Sequence, residues 1–128
     1  MARDVHNTNI LHADIKPGNF LLVAGELKLI DFGLAMELVP GQEFVQKKYL
    51  LGTKDYMSPE VYAGYVIENG EIDREATAQG EGVRYTKKVD IWALGIILYQ
   101  IVYSNLPFSN VPGGTRLVNT GDNDRLHF

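Results

Sequence analysis

Two carboxylates lie in one short span of this chain: Asp14, in His12-Ala13-Asp14-Ile15-Lys16-Pro17-Gly18-Asn19, and Asp31, in Asp31-Phe32-Gly33. Moving a phosphoryl group leaves a protein little covalent chemistry to supply. It needs a carboxylate beside the acceptor hydroxyl and oxygen ligands for Mg²⁺. The stretch from 12 to 33 offers both. Read singly, the same residues are bland, because an aspartate in a loop most often bonds its own turn.

The elements that must position these groups are short. Ile10-Leu11 leads into the loop, and Phe20-Leu21-Leu22-Val23 is an apolar run of strand length. Ala24-Gly25-Glu26 supplies a turn before Leu27-Lys28-Leu29-Ile30, so the pair predicts a β-hairpin. That hairpin brings Asn19 and Asp31 together, where two oxygen donors can share one Mg²⁺-nucleotide. From Leu34 to Leu51 periodicity is lost, with Pro40-Gly41 as a turn signal, and loops this long in compact domains usually carry function. Residues 65–85, rich in Glu, Gly and small side chains, predict a solvated, partly disordered loop. Val89 to Tyr103 predicts a helix that is apolar on most faces and therefore buried, with Asp90 placed to cap its N-terminus. Beyond Pro107-Phe108 the chain is polar and carries no periodic pattern, and no internal repeat is present.

The chain has 128 residues, enough for one modest domain with its own core. A formal charge of −4 with Lys and Arg scattered in pairs argues against a nucleic-acid footprint. Without cysteine there is neither a disulfide framework nor a thiolate metal site. The N-terminus has no signal-peptide pattern. The most apolar run, 89–103, is shorter than the ~20 residues of a membrane span. The partners expected are therefore neither nucleic acid nor membrane.

The order and spacing of His12 to Asn19 and Asp31 to Gly33 match the motifs H-R-D-L-x-x-x-N and D-F-G. Ser58-Pro59-Glu60 stands where A-P-E closes an activation segment, and Asp90-Ile91-Trp92-Ala93-Leu94-Gly95 looks like the start of a central buried helix. On these four motifs the chain resembles the eukaryotic protein kinases. The resemblance implies an α+β fold, the mainly helical C-terminal lobe with a short β-hairpin, incomplete here. It implies one partial kinase domain over 1–128, with catalytic loop 12–19, activation segment 31–60, an insertion at about 65–85 and a central helix at about 89–103.

The same resemblance assigns roles. Asp14 is the catalytic base, and Lys16 offsets charge on the transferred group. Asn19 and Asp31 ligate Mg²⁺ of bound ATP, and Leu21 forms the floor beneath the adenine, supported by Ile97 and Ile101. Gly52 and Thr53 belong to the platform for the protein substrate. His12 is structural, packed on Phe32 and bonded to backbone. As a metal ligand His12 finds no third partner at a suitable spacing. Asp90 ties down the catalytic-loop backbone, and Glu60 pairs with an arginine from later helices. Lys16 and Thr53 resemble the serine/threonine class, with dual specificity left open.

Ala13 departs from the pattern, because the arginine usual at this position pairs with a phosphorylated activation segment and alanine cannot. Tyr49, Thr53 and Tyr56 are candidate phosphate acceptors acting through other cations. The run Leu27 to Ala35, the small residue before Asp14 and the Tyr56-Met57-x-Pro-Glu stretch look most like the monopolar-spindle checkpoint kinases. That subfamily implies a nuclear or cytoplasmic enzyme, at the kinetochore, in mitotic checkpoint signalling. A complete kinase domain also has a glycine-rich lobe and later helices, so the chain reads as part of a longer parent, weakly active or inactive alone. Two rival readings stand beside this one: a non-catalytic, kinase-like interaction fragment, and an unrelated carboxylate-pair hydrolase.

Overall fold

The computed structural model describes residues 2–63, 66–68, 71–73 and 82–108. Among these, α1 (Ala2–Asn7) leads through β1 (Ile10–Leu11) into a 3₁₀ turn at Pro17–Asn19. Then come β2 (Phe20–Val23), β3 (Glu26–Leu29), β4 (Met36–Glu37) and β5 (Val45–Lys47). A second 3₁₀ turn at Lys54–Tyr56 precedes α2 (Pro59–Ala63), β6 (Val66–Glu68), β7 (Glu71–Asp73), β8 (Val83–Tyr85) and α3 (Lys88–Tyr103). The strands form four antiparallel pairs, β1–β4, β2–β3, β5–β8 and β6–β7. Described this far, the chain is α+β but not mainly helical.

The hairpin expected from 20 to 30 is present, in the register Phe20↔Leu29 to Val23↔Glu26. Its two-residue turn places Ala24 at φ 50° and Gly25 at φ 81°. Positive φ at both central positions is the turn whose twist matches that of the strands.

One hydrophobic core gathers Leu11, Met36, Leu38, Met57, Val61, Tyr62, Val83, Tyr85 and Val89. It lies directly under the loop that carries Asp14, because β1 and β4 contribute Leu11 and Met36 in register. α3 faces this core with Val89, Asp90, Ala93 and Ile96.

Three expectations need correction. The helix at 89–103 is not buried on most faces: Ile91, Leu98, Ile101, Val102 and Tyr103 are each more than half exposed. One stripe of the helix packs on the core of the described residues, while Leu94, Ile97 and Ile101 line one open groove and Ile91, Trp92 and Tyr99 another. Asp90 does not cap this helix. It lies inside the first turn with its carboxylate turned to the backbone of His12 and Ala13, while the Lys88 N–H donates to Thr86 Oγ1 at 3.2 Å. The solvated loop expected over 65–85 ends in a strand instead, with Val83 and Tyr85 each 1% exposed. Its composition hid this because the strand is only three residues long and its partner lies far away in sequence. Residues 64–65, 69–70 and 74–81 of that loop, and the polar run from 109 onward, lie outside the described residues.

Candidate active site

Backbone geometry builds the site first. Lys16 is extended at φ −155°, as the residue before a proline must be, and Pro17 opens the 3₁₀ turn that ends at Asn19. The Ile30 N–H donates to the Asn19 carbonyl at 2.9 Å, so the hairpin ladder sets Asn19 and Asp31 at its open end, one step out of register. Ala13 at φ 64° and Asp31 at φ 61° both occupy the left-handed region. For residues with a Cβ this conformation costs on the order of 1 kcal/mol or more, and it persists only where the surroundings enforce it.

At Ala13 the enforcement is visible. Asp90, 1% exposed, accepts the His12 N–H at 2.8 Å through Oδ2 and the Ala13 N–H at 2.9 Å through Oδ1. His6 Nε2 donates to the same Oδ2 at 2.7 Å. Lys87 Nζ in turn donates to the His6 carbonyl, joining α1 to the start of α3. Asp90 thus accepts hydrogen bonds from the loop backbone at both His12 and Ala13.

His12 is fully buried. Its Nε2–H donates to the Ile30 carbonyl at 3.0 Å, which leaves Nδ1 to accept the Asp14 N–H at 3.3 Å. The ring meets Phe32 edge-on with centroids 4.9 Å apart. Both nitrogens are therefore engaged within the fold, and no group of three His, Cys, Asp or Glu side chains suited to a metal occurs among the described residues.

Around Asp14 three side chains close a triangle. Thr53 Oγ1 donates to Asp14 Oδ1 at 2.6 Å, Lys16 Nζ donates to Thr53 Oγ1 at 2.9 Å, and Lys16 Nζ lies 3.0 Å from Asp14 Oδ2. Asn19 Nδ2 donates to the Asp14 carbonyl at 2.7 Å and to Oδ2 at 3.3 Å. Partial burial pushes the Asp14 carboxyl up. The hydrogen bonds from Thr53 and Lys16, the Lys16 charge and the Asn19 amide together outweigh it and hold the group below the ordinary aspartate value. Asp14 is thus an ionised acceptor at neutral pH, held by the Lys16 cation and the Thr53 hydroxyl.

Gly52 brings that segment in. Its φ is +108°, and a Cβ there would lie 2.6 Å from the Ala13 carbonyl oxygen. Only glycine lets the two loops approach so closely.

The oxygen donors fit a hard cation. Asn19 is buried with its amide nitrogen committed to Asp14, which leaves Oδ1 for a ligand, and Asp31 is exposed at the hairpin's end. One carboxylate and one amide oxygen are the kind of partial set that Mg²⁺ takes when phosphates and water complete its shell. Asp31 Oδ1 also accepts the Gly33 N–H at 3.2 Å, the local turn bond of its bland reading.

Leu21 stands apart from its expected supports. It is half-exposed on β2, whereas Ile97 and Ile101 gather with Phe20, Leu27 and Leu29, side chains of the opposite hairpin face. Alternation along a strand forbids Phe20 and Leu21 from sharing a face, so Ile97 and Ile101 meet the hairpin face opposite Leu21 rather than Leu21 itself. Glu60 is exposed beside a groove lined by Lys88 and Trp92, so no carboxylate is stranded in the core there. The sequence reading missed His6, Lys87, Tyr85 and the bond from Tyr56 Oη to Gln100 Oε1 at 2.9 Å. Only the buried-exposed-buried alternation of Val83-Arg84-Tyr85 left a signal, and three residues are too few to read.

A loop carboxylate bound by lysine and threonine, a hairpin presenting two oxygen donors and a helix aspartate gripping the loop backbone belong together in one class of protein. The chain matches the protein kinase domain family over residues 3–124 and belongs to it. It is similar to the dual specificity protein kinase Ttk of Danio rerio, 39% identical over 107 residues, which is 84% of this chain and 10% of that relative. The serine/threonine-protein kinase mph1 of Schizosaccharomyces pombe is 38% identical over 107 residues, 84% of this chain and 15% of that relative. The serine/threonine-protein kinase MPS1 of Saccharomyces cerevisiae is 35% identical over 114 residues, 89% of this chain and 14% of that relative. The chain therefore spans well under a quarter of the length of these relatives.

Proposed function

We propose that this chain carries the catalytic loop and activation segment of a kinase that transfers the γ-phosphoryl of ATP to serine or threonine of a protein substrate, with dual specificity left open. The observation that supports this most is the Asp14–Lys16–Thr53 triangle. Asp14 accepts the hydroxyl proton of the acceptor. Lys16, already within reach of both Asp14 and Thr53, lends positive charge where the transferred group gains negative charge. Asn19 and Asp31 would hold Mg²⁺, which when bound neutralises the phosphates of the nucleotide. Leu21 would meet the adenine from below. A kinase also clamps its nucleotide with a glycine-rich loop and a strand lysine that are not among these 128 residues, so these residues alone turn over weakly, because positioning supplies most of the catalysis.

Similarity to Ttk and the MPS1 relatives, with the run Leu27 to Ala35, supports mitotic checkpoint signalling as the process, in the nucleus or cytoplasm and at the kinetochore. The test is transfer from radiolabelled ATP by the full-length protein that contains this sequence, with and without Asp14→Asn. Loss of a catalytic base lowers the rate about 100-fold or more. An unchanged rate removes Asp14 from the chemistry and the proposal with it.

A further inference from the structure

The activation segment of this chain is joined to the strand preceding α3 in a way that its motifs do not announce. β5 and β8 pair in the register Val45↔Tyr85, Gln46↔Arg84, Lys47↔Val83. Tyr85 lies opposite Val45 at the start of β5, and its side chain reaches the residues that follow β5. Its phenol, 1% exposed, accepts the Leu51 N–H at 2.9 Å and donates to the Tyr49 carbonyl at 3.3 Å. One side chain therefore ties residues 49 and 51 to the strand before α3.

These are the residues immediately before Gly52 and Thr53, the close approach to Ala13 and the hydroxyl on Asp14. At the far end of the pairing, Gly82 has φ +79°, and a Cβ there would lie 2.7 Å from the Lys47 carbonyl oxygen. On the outer face the Arg84 guanidinium lies over the Phe44 ring, 4.9 Å from its centroid. Alanine at position 13 supplies no cation to a phosphorylated segment. The segment is held by the two hydrogen bonds of the Tyr85 phenol, by the Arg84–Phe44 contact and, at Thr53, by the charged groups of Lys16 and Asp14.

We infer that Tyr85 is a positioning residue for the acceptor: its hydroxyl, with the β5–β8 pair, splints the activation segment so that Gly52 and Thr53 are set against Ala13 and Asp14. This rests on the phosphoryl-transfer reading above for its kinetic consequence, but not for its structural one.

The experiment uses the full-length protein containing this sequence and the variants Tyr85→Phe and Gly82→Ala. The first deletes only the hydroxyl, and the second strains the opposite end of the pairing. Loss of one neutral hydrogen bond predicts about 3- to 10-fold faster amide exchange at Leu51 in Tyr85→Phe. It predicts a rise of similar size in KM for a serine or threonine peptide, with KM for ATP unchanged. Gly82→Ala is expected to reproduce the peptide-selective rise. A merely structural tyrosine would lower Tm and move both KM values or neither. Unchanged exchange at Leu51 overturns the splint whatever the kinetics show. Faster exchange in a protein whose wild type transfers no phosphoryl group upholds the splint and sinks the phosphoryl-transfer reading instead.

Discussion

The Ala13 backbone N–H donates to Asp90 Oδ1 at 2.9 Å, so a helix side chain fixes a loop residue whose φ of 64° an alanine would not choose unaided. The other carboxylate oxygen serves the His12 N–H and His6 Nε2. Asp90→Ala leaves these donors without their acceptor in a site closed to water, at about 1–3 kcal/mol for each buried group. The expected loss is about 3 kcal/mol or more of unfolding free energy, read as a lower urea midpoint at unchanged slope. Asp90→Asn keeps one acceptor oxygen and loses less. Equal stability of Asp90→Ala and wild type would remove the clamp from the argument.

A second outcome concerns pH. Burial raises the Asp14 carboxyl, but Thr53, Lys16 and Asn19 lower it further, so its folded pKa lies below its unfolded one. Such a group adds stability that is fully present above the ordinary aspartate range, near ~4, and that is lost as pH falls through the folded value. The acid limb of kcat/KM for peptide is accordingly displaced below the ordinary carboxylate range. Thr53→Ala deletes the shortest of the bonds to Asp14, at 2.6 Å, and moves that limb upward. A limb that stays in place would show that Thr53 does not tune the base.

Gly52 and Gly18 make a matched pair for a third test. At Gly52 a Cβ would lie 2.6 Å from the Ala13 carbonyl in a backbone at φ +108°, whereas at Gly18 nothing lies within 4 Å. Gly52→Ala is expected to destabilise by about 1–3 kcal/mol and to lower transfer more than tenfold, because the acceptor segment must back away from Asp14. Gly18→Ala stays within about 0.5 kcal/mol of wild type. Differential scanning calorimetry on the two variants checks the contrast, and equal losses would contradict it.

What the sequence revealed and what it hid divide along contact range. His12 to Asn19 and the hairpin to Gly33 are built by neighbours, through a proline-set turn and a two-residue hairpin turn, so their letters carry their geometry. The hold of Asp90 on the loop spans |i−j| of 77 and 78 and was legible only through resemblance. Tyr85 had neither aid. Its partners Tyr49 and Leu51 sit in a stretch without periodicity, and its strand falls within a polar loop. The one-sided burial of α3 was also out of reach, since composition shows that a helix must be covered but not which residues cover it.

The last expectation separates two duties of Asn19. Its amide nitrogen donates to Asp14 at 2.7 Å through the carbonyl and at 3.3 Å through Oδ2, while its oxygen is the atom suited to a hard cation. Asn19→Ala abolishes both. The half-saturating Mg²⁺ concentration for peptide phosphorylation should then rise about tenfold or more, and the acid limb of the pH profile should move up. Asn19→Asp keeps an oxygen for the cation but removes the donor and adds negative charge beside Asp14, which raises that carboxyl further. Its Mg²⁺ requirement should therefore stay close to wild type while its acid limb shifts upward. Asp31→Ala should do the reverse, because Asp31 is not among the groups that act on Asp14. Calorimetric titration of Mg²⁺-ATP beside the pH profiles distinguishes the three variants. If Asn19→Asp and Asp31→Ala behave alike, the amide has one role, and the bond to Asp14 is incidental.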